Sequence, residues 1–225
     1  MAEKDLRAKP VEYPLDAGGI WCDVLTRPPP GRPALFLDRD GAVVEETGYL
    51  CRVADIAIIE GAAAVIAAAN KHGLAVVMVT NQAGIGRGYY GWSEFQAVQN
   101  AIAAALSAQG AAIDAVYACP YHPQGRAPYA HPNHPSRKPN PGMLLQASFD
   151  LKLDLKKSWL VGDKAIDVEA AKRAGLAGAL QVGTGYGTAE RQSAIALASP
   201  AFEVRFGRSI ADAMMLPILM ARDVC

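Results

Sequence analysis

The sequence offers no apolar leader, no cysteine pairing pattern, no surplus of one charge and no apolar run near the about 18 residues a membrane span requires. Its opening, MAEKDLRAKPVEYPLD, sets charges where a signal peptide needs an apolar core, so the reading is a cytoplasmic protein that neither enters nor rests on a membrane. The four cysteines, Cys22, Cys51, Cys119 and Cys225, lie far apart with no CxxC, which argues against a disulfide framework or a thioredoxin-like redox site. Lysine plus arginine equals aspartate plus glutamate at 22 each, so no global field draws the chain to nucleic acid, and any anion site must be local. No basic stripe accompanies Tyr89, Tyr90 and Trp92, which read as loop packing rather than a base-stacking platform. Repeats and low-complexity stretches are absent as well.

What is present is the composition of a globular protein: 51% hydrophobic residues and 20% charged over 225 residues, enough for one domain with a full core. Residues 1–33 are rich in turn formers and end in RPPPGRP, a stiff extended stretch, and are expected to form an arm ahead of a domain spanning 34–225. From there short apolar runs alternate with helical ones: ALFLD, GAAAVIAAANKHG, LAVVMVT, SEFQAVQNAIAAALSAQG and IDAVYAC. After a Pro- and His-rich loop at 119–138 the rhythm resumes with PGMLLQASFD, SWLVGD, AIDVEAAKRAG and AGALQVG. Strands alternating with crossover helices predict an α/β fold, a Rossmann-like doubly wound parallel sheet. Gly73, Gly110 and Gly175 fall where helix C-caps belong, with His72 facing one such helix end, and the tail SIADAMMLPILMARDVC is expected to be a last helix.

In such a sheet ligands bind beyond the carboxyl ends of the strands, so the residues ending each strand are the informative ones. Asp38 and Asp40 end the first predicted strand, Thr80 and Asn81 the second, Cys119 the third, and Asp163 and Lys164 the fourth. Singly, each has an ordinary explanation as a turn or cap residue. Together they form a chemical set. Asp38 and Asp40 place two carboxylates at one strand end, an arrangement that calls for a cation, and hard oxygen ligands suit Mg²⁺. A carboxylate can attack phosphorus, and a second acid can protonate the leaving oxygen and then activate water. Thr80, the amides of NQAG, Lys138 and Mg²⁺ on Asp38 and Asp163 would surround the phosphoryl oxygens.

With these motifs in order, LFLDRDG, VMVTNQAG, RKPNPGML and VGDKAIDVEAA, the sequence resembles the haloacid dehalogenase (HAD) superfamily of phosphohydrolases. It is most similar to the branch of D-glycero-D-manno-heptose 1,7-bisphosphate phosphatases and histidinol-phosphatases, over about residues 33–190. The resemblance implies an essentially capless phosphomonoesterase with Asp38 as nucleophile, Asp40 as acid/base, and Mg²⁺ on Asp38, Asp163 and the backbone carbonyl of Asp40. Thr80 and Lys138 would hold the phosphoryl group, and Gly48, Tyr49, Asn81, Gln82, Arg137 and Lys164 would border the substrate. The expected substrate is a heptose 1,7-bisphosphate cleaved at C7, with histidinol phosphate or another small phosphorylated metabolite as the alternative, and the expected state is a monomer. Ala42 stands where relatives carry Thr after the Asp-Gly.

Relatives are also implied to hold a structural zinc through Cys-x-His and Cys-x-Cys, where this chain has Cys119, Tyr121, His134 and Ser136. Two readings stay open at this loop: a Cys-His₃ zinc site of Cys119, His122, His131 and His134, or a loop stiffened by its prolines. Asp167, one helical turn beyond Asp163, would orient the metal shell or a lysine, and Arg87 would reach a second phosphate or lie on the surface. Two other classes compete with the enzyme. A receiver-like switch domain needs its phosphorylated Asp on the third strand, which here ends at Cys119; a metal-stabilised binding module leaves the acids unexplained.

Overall fold

A computed structural model describes residues 15–220. Seven strands form one sheet: β1 (Trp21–Val24), β2 (Ala34–Leu37), β3 (Ala75–Asn81), β4 (Ala115–Cys119), β5 (Trp159–Gly162), β6 (Gly178–Val182) and β7 (Glu203–Gly207). The helices are α1 (Ala62–Lys71), α2 (Ala83–Arg87), α3 (Trp92–Ser107), α4 (Gly142–Leu151), α5 (Ala165–Ala174), α6 (Gly187–Ile195) and α7 (Pro217–Met220). The order across the sheet is β1-β4-β3-β2-β5-β6-β7, parallel except for β1, which runs antiparallel to β4.

That order follows from the pattern of the strands. β2 and β4 are buried along their whole length and β3 along all but its last residue, as a sheet covered on both faces demands. Side chains alternate between faces: Leu35, Leu37, Val76 and Met78 enter one core with α1 and α3, while Ala34, Phe36, Ala75 and Val77 enter the other with α4 and α5. The chain winds from β2 to β4 in one direction, then crosses to β5 on the other side of β2. The switch point therefore lies between β2 and β5, where Leu37 pairs with Val161, and the residues that follow open onto one crevice.

Two expectations need correction. The segment 1–33 is more than an arm, because β1 closes the sheet edge beside β4, with Trp21 opposite Ala118. Trp21 stacks on Trp92 (6.1 Å) and meets Phe95 edge-on (5.1 Å), so its ring is part of the core; residues 1–14 of the expected arm lie outside the described residues. The tail is not one helix: Pro217 has no N–H to donate, and a 3₁₀ turn over Ile210–Met215 gives way to the short α7. Residues 221–225 of that tail lie outside the described residues. Gly73 and Gly175 do close α1 and α5 at positive φ, as their positions predicted.

Replacing Trp21 by Ala should cost about 3 to 5 kcal/mol in chemical denaturation, the usual penalty for emptying an aromatic site in a core. A loss below about 0.5 kcal/mol, the range of a surface substitution, would show that β1 is merely appended.

Candidate active site

Continuing each central strand by one or two residues assembles the site. Asp38 follows β2, its N–H donating to Val161 O (2.8 Å), and Thr80 lies at the end of β3. Asp163 follows β5, and Asp167 sits in the first turn of α5. All four are buried. Carboxylate oxygens of Asp38, Asp163 and Asp167 lie within 4.8 Å of one another, the one such group of three or more His, Cys, Asp or Glu among the described residues.

Lys138 reaches this cluster from the loop before α4. Its Nζ lies 2.7 Å from Asp38 Oδ1, 2.7 Å from Asp167 Oδ1 and 2.9 Å from the carbonyl of Val79. Burial opposes charge on this fully enclosed amine, but Asp167 and then Asp38 outweigh it and hold the ammonium above its ordinary range. The lysine backbone is fixed too: Asn81 Nδ2 donates to Lys138 O and Asn81 Oδ1 accepts from Lys138 N, both at 3.1 Å. Asn81 borders the cavity, yet its amide clamps the lysine loop on both sides.

The Asp163 carboxylate accepts one hydrogen bond, from Tyr186 N to Oδ2 (2.8 Å); its Oδ1 is buried without a partner among the described residues. Burial, then Asp38, then Asp167 push its carboxyl up to about 7. An orphaned carboxylate oxygen between two further acids fits a divalent cation, the donor set being the hard oxygens that suit Mg²⁺. Backbone approach is close here. Gly41 (φ +84°) and Gly185 (φ +57°) both lie so that a Cβ would enter the Asp163 carboxylate, which accounts for the glycine of DRDG and adds one from the turn after β6. Thr184 Oγ1 donates to Gly41 O (2.5 Å), joining these two turns.

The cavity above the acids holds about 270 Å³ and is bordered by Asp38, Asp40, Gly48, Tyr49, Thr80, Asn81, Gln82, Arg137, Lys138 and Lys164, so every residue expected at the catalytic and substrate positions lines it, while Asp163, expected as a metal ligand, is buried outside the lining. Lys164 Nζ bonds Glu46 Oε2 (3.1 Å) and sits 4.4 Å above the Tyr186 ring. Burial works against its charge, but Asp163, Asp38 and Glu46 raise its pKa. Burial lowers the Arg137 pKa, and Arg137 Nη1 donates to Tyr121 O (2.9 Å). Arg87 donates to Tyr49 Oη (2.9 Å), securing that ring at the rim. Of the NQAG amides, that of Gln82 is already spent on Cys119 O (2.8 Å).

Three bordering residues had no sequence signal: Arg39, Glu46 and Tyr186. Arg39 is 1% exposed although it follows the strand in a turn-like DRDG. It is the largest fully buried side chain among the described residues, and only its burial reveals it.

The Cys-His₃ arrangement is not assembled. Cys119 is buried in the sheet core, and among the described residues no three of these four side chains bring ligand atoms within 4.8 Å of one another. His122, His131 and His134 each use Nδ1 to accept a backbone N–H two residues on, from Gln124, Asn133 and Ser136. His134 lies flat on Tyr121, with ring centres 3.6 Å apart, and Ser136 Oγ donates to Gly18 O (2.8 Å). The residues present do not fit zinc, and the loop is held by ring packing and by residues 18–19.

Comparison with known proteins agrees with this geometry. The HAD-hydrolase-like family model matches residues 135–205. A D-glycero-beta-D-manno-heptose-1,7-bisphosphate 7-phosphatase of Mesorhizobium japonicum is 48% identical over 167 residues, 73% of this chain and 77% of that protein. The crystal structure of a HAD-like phosphatase from Mesorhizobium loti superposes with a TM-score of 0.81 at 41% identity, covering 92% of this chain and 94% of that one. A D,D-heptose 1,7-bisphosphate phosphatase from B. bronchiseptica, complexed with magnesium and phosphate, gives a TM-score of 0.68 at 27% identity, covering 80% and 94%.

The Asp163 shift sets a pH dependence. An acid raised from 3.8 to about 7 binds its proton more tightly folded than unfolded, so this contribution is fully present below 3.8 and is lost as pH rises towards 7. In chelator the melting temperature of Asp163→Asn should rise relative to that of the unsubstituted protein over that interval, and Mg²⁺ should stabilise the unsubstituted protein most near and above pH 7. A Mg²⁺ effect of equal size at low and neutral pH would contradict a cation site at these acids.

Proposed function

The chain belongs to the D-glycero-D-manno-heptose-1,7-bisphosphate 7-phosphatase family of HAD-like hydrolases, enzymes that hydrolyse phosphate monoesters, and we propose that its own reaction is removal of the C7 phosphate from a heptose 1,7-bisphosphate. The observation that carries this reading is the buried Lys138 ammonium between Asp38 and Asp167, with the orphaned Asp163 Oδ1 beside it, at the mouth of a cavity of small-metabolite size.

In this proposal an Asp38 carboxylate oxygen attacks phosphorus and the bond from phosphorus to the C7 oxygen breaks, while Asp40 delivers a proton to that oxygen. Water then attacks the aspartyl-phosphate at phosphorus and gives its proton to Asp40; the bond to Asp38 breaks, and inorganic phosphate leaves. The Thr80 hydroxyl and Lys138 supply hydrogen bonds and charge to the non-bridging oxygens, where charge stabilisation dominates phosphoryl transfer. Bound by Asp38, Asp163 and the backbone carbonyl of Asp40, Mg²⁺ would neutralise charge on the phosphoryl group. Asp167 keeps Lys138 in place and charged. Arg137 and Lys164, which both line the cavity, would receive the remaining anionic and hydroxyl groups of the sugar, with Gly48 and Tyr49 closing the rim.

A cytoplasmic monomer acting on a small phosphorylated substrate is part of the same proposal. The described residues contain no helix long and apolar enough to cross a membrane. A switch domain fits less well, since β4, the third parallel strand, ends in the buried Cys119 rather than an acid.

Purified protein with Mg²⁺ should release inorganic phosphate from heptose 1,7-bisphosphate in preference to sugar monophosphates, nucleotides and histidinol phosphate. Asp38→Asn should lower that rate at least about 1,000-fold, as expected when the nucleophile of a cooperating set is lost. Preference for histidinol phosphate would overturn the substrate, and an active Asp38→Asn enzyme would overturn the mechanism.

A further inference from the structure

Beside the reaction centre lies a polar network with no assigned task. Arg39 Nε is 3.0 Å from Asp40 Oδ1 and 3.1 Å from Oδ2, and its Nη2 is 2.9 Å from Oδ2. The guanidinium packs over the Phe95 ring (5.5 Å), and Nη2 also donates to Gln82 Oε1 (3.3 Å). Gln82 in turn donates from Nε2 to Thr80 Oγ1 (2.7 Å) and, at 3.3 Å, to Asp40 Oδ2, while Tyr90 Oη donates to Gln82 Oε1 (2.5 Å). Arg39 and Gln82 are each 1% exposed. The network thus ties the turn after β2, the end of β3 and the turn between α2 and α3 into one unit.

Stability alone does not explain it. A guanidinium removed from water loses hydration that an ion pair only partly restores, and here Nη1 is buried with no partner among the described residues. An apolar side chain would fill the space beside Phe95 without leaving a donor unmet. What the fork achieves is orientation: two bonds in one plane fix both the position and the rotation of a carboxylate, which a single bond or a lysine cannot do.

We propose that Arg39, Gln82 and Tyr90 are positioning residues that lock the Asp40 carboxylate for proton transfer, and that they leave Oδ1 as the oxygen that exchanges the proton with the leaving group and with water. The assignment rests on the role of Asp40 given above. Oδ2 faces three donors, Arg39 Nε, Arg39 Nη2 and Gln82 Nε2, and Oδ1 faces one. The side chain of Asp40 keeps 18% of its surface exposed on the cavity side of this lock, whereas that of Arg39 keeps 1%. Gln82, expected along the substrate, therefore acts through Asp40 and Thr80. Tyr90 holds Gln82 in the amide orientation that presents Nε2 to both.

Leaving-group dependence separates positioning of an acid from general support of the fold. A sugar alkoxide needs a proton as it departs, and p-nitrophenolate does not. In Arg39→Met, kcat for the sugar phosphate should fall about 100-fold, within the range of a lost general acid, with KM changed less than about threefold. The pre-steady-state burst of p-nitrophenolate from p-nitrophenyl phosphate should slow less than about tenfold. Arg39→Lys, which restores the charge without the fork, should not recover the sugar-phosphate rate. Tyr90→Phe, which removes one hydroxyl, should show the same inequality at smaller size and carries the test if Arg39→Met does not fold. Equal losses on both substrates, a change confined to KM, or recovery by lysine would overturn the proposal. A burst in the unsubstituted enzyme that Asp38→Asn abolishes tests the aspartyl-phosphate reading separately, so failure of one is distinct from failure of the other.

Discussion

The ammonium of Lys138 is the interaction on which the rest of the site depends. Three carboxylates are drawn together at the switch point of the sheet, and burial together with the neighbouring acids raises the pKa of Asp163 and Asp167. Lys138 supplies one fixed positive charge, bonded to two of the acids and to a strand carbonyl, and Asn81 holds its backbone. The third acid, Asp163, is left with an unmet oxygen and a raised pKa. The protein thus neutralises only part of the cluster with a charge of its own. A buried ion pair of this kind is weak evidence for stability, since the cost of desolvation rivals the attraction. Here the arrangement is better understood as the cost of setting Asp38 beside an ammonium and two further acids away from water.

The central strands and the helices between them were legible because burial on both faces leaves near-continuous apolar runs, and because the residue ending each run was polar. Asp38, Thr80 and Asp163 could be located from that contrast alone, and Lys138 joined them through the motif order. The outer elements lacked the contrast. β1 is four residues, WCDV, with an aspartate and an exposed cysteine, and nothing local marks its partner. β7, EVRFG, and α6, GTAERQSAI, are mostly exposed and carry too little apolar pattern to stand out. Arg39 was hidden for a different reason. An arginine in a turn is ordinarily solvated, and only the third dimension shows Phe95 and Gln82 closing over it. Glu46 and Tyr186 enter from loops whose positions follow from the fold and from no periodicity.

The loop between β4 and α4 illustrates how one mechanical task can be met by different chemistry. Arg137 and Lys138 must be held at the end of a long irregular segment. In this chain the stacked rings of Tyr121 and His134, the edge contacts of Tyr129 and the backbone bonds to three imidazoles hold it. Gly19 lies against both stacked rings, so that a side chain there would collide with them. Residues 15–20, ahead of β1, are thereby coupled to the placement of Lys138, although they do not line the cavity at Asp38.

The antiparallel pairing of β1 with β4 carries a consequence for the order of assembly. β2, β3 and β4 pair in succession over one intervening segment each, whereas β1 has β4 as its only neighbour and Trp21 meets Ala118 across roughly 100 residues, an entropic cost met only once β4 is in place. On the ribosome the tryptophan emerges first and stays without its partners until Trp92, Phe95 and β4 have followed it out of the exit tunnel. Throughout that interval the growing chain presents an uncovered aromatic ring and an open sheet edge. β1, made before the other strands of the sheet, is thus among the last to find its place.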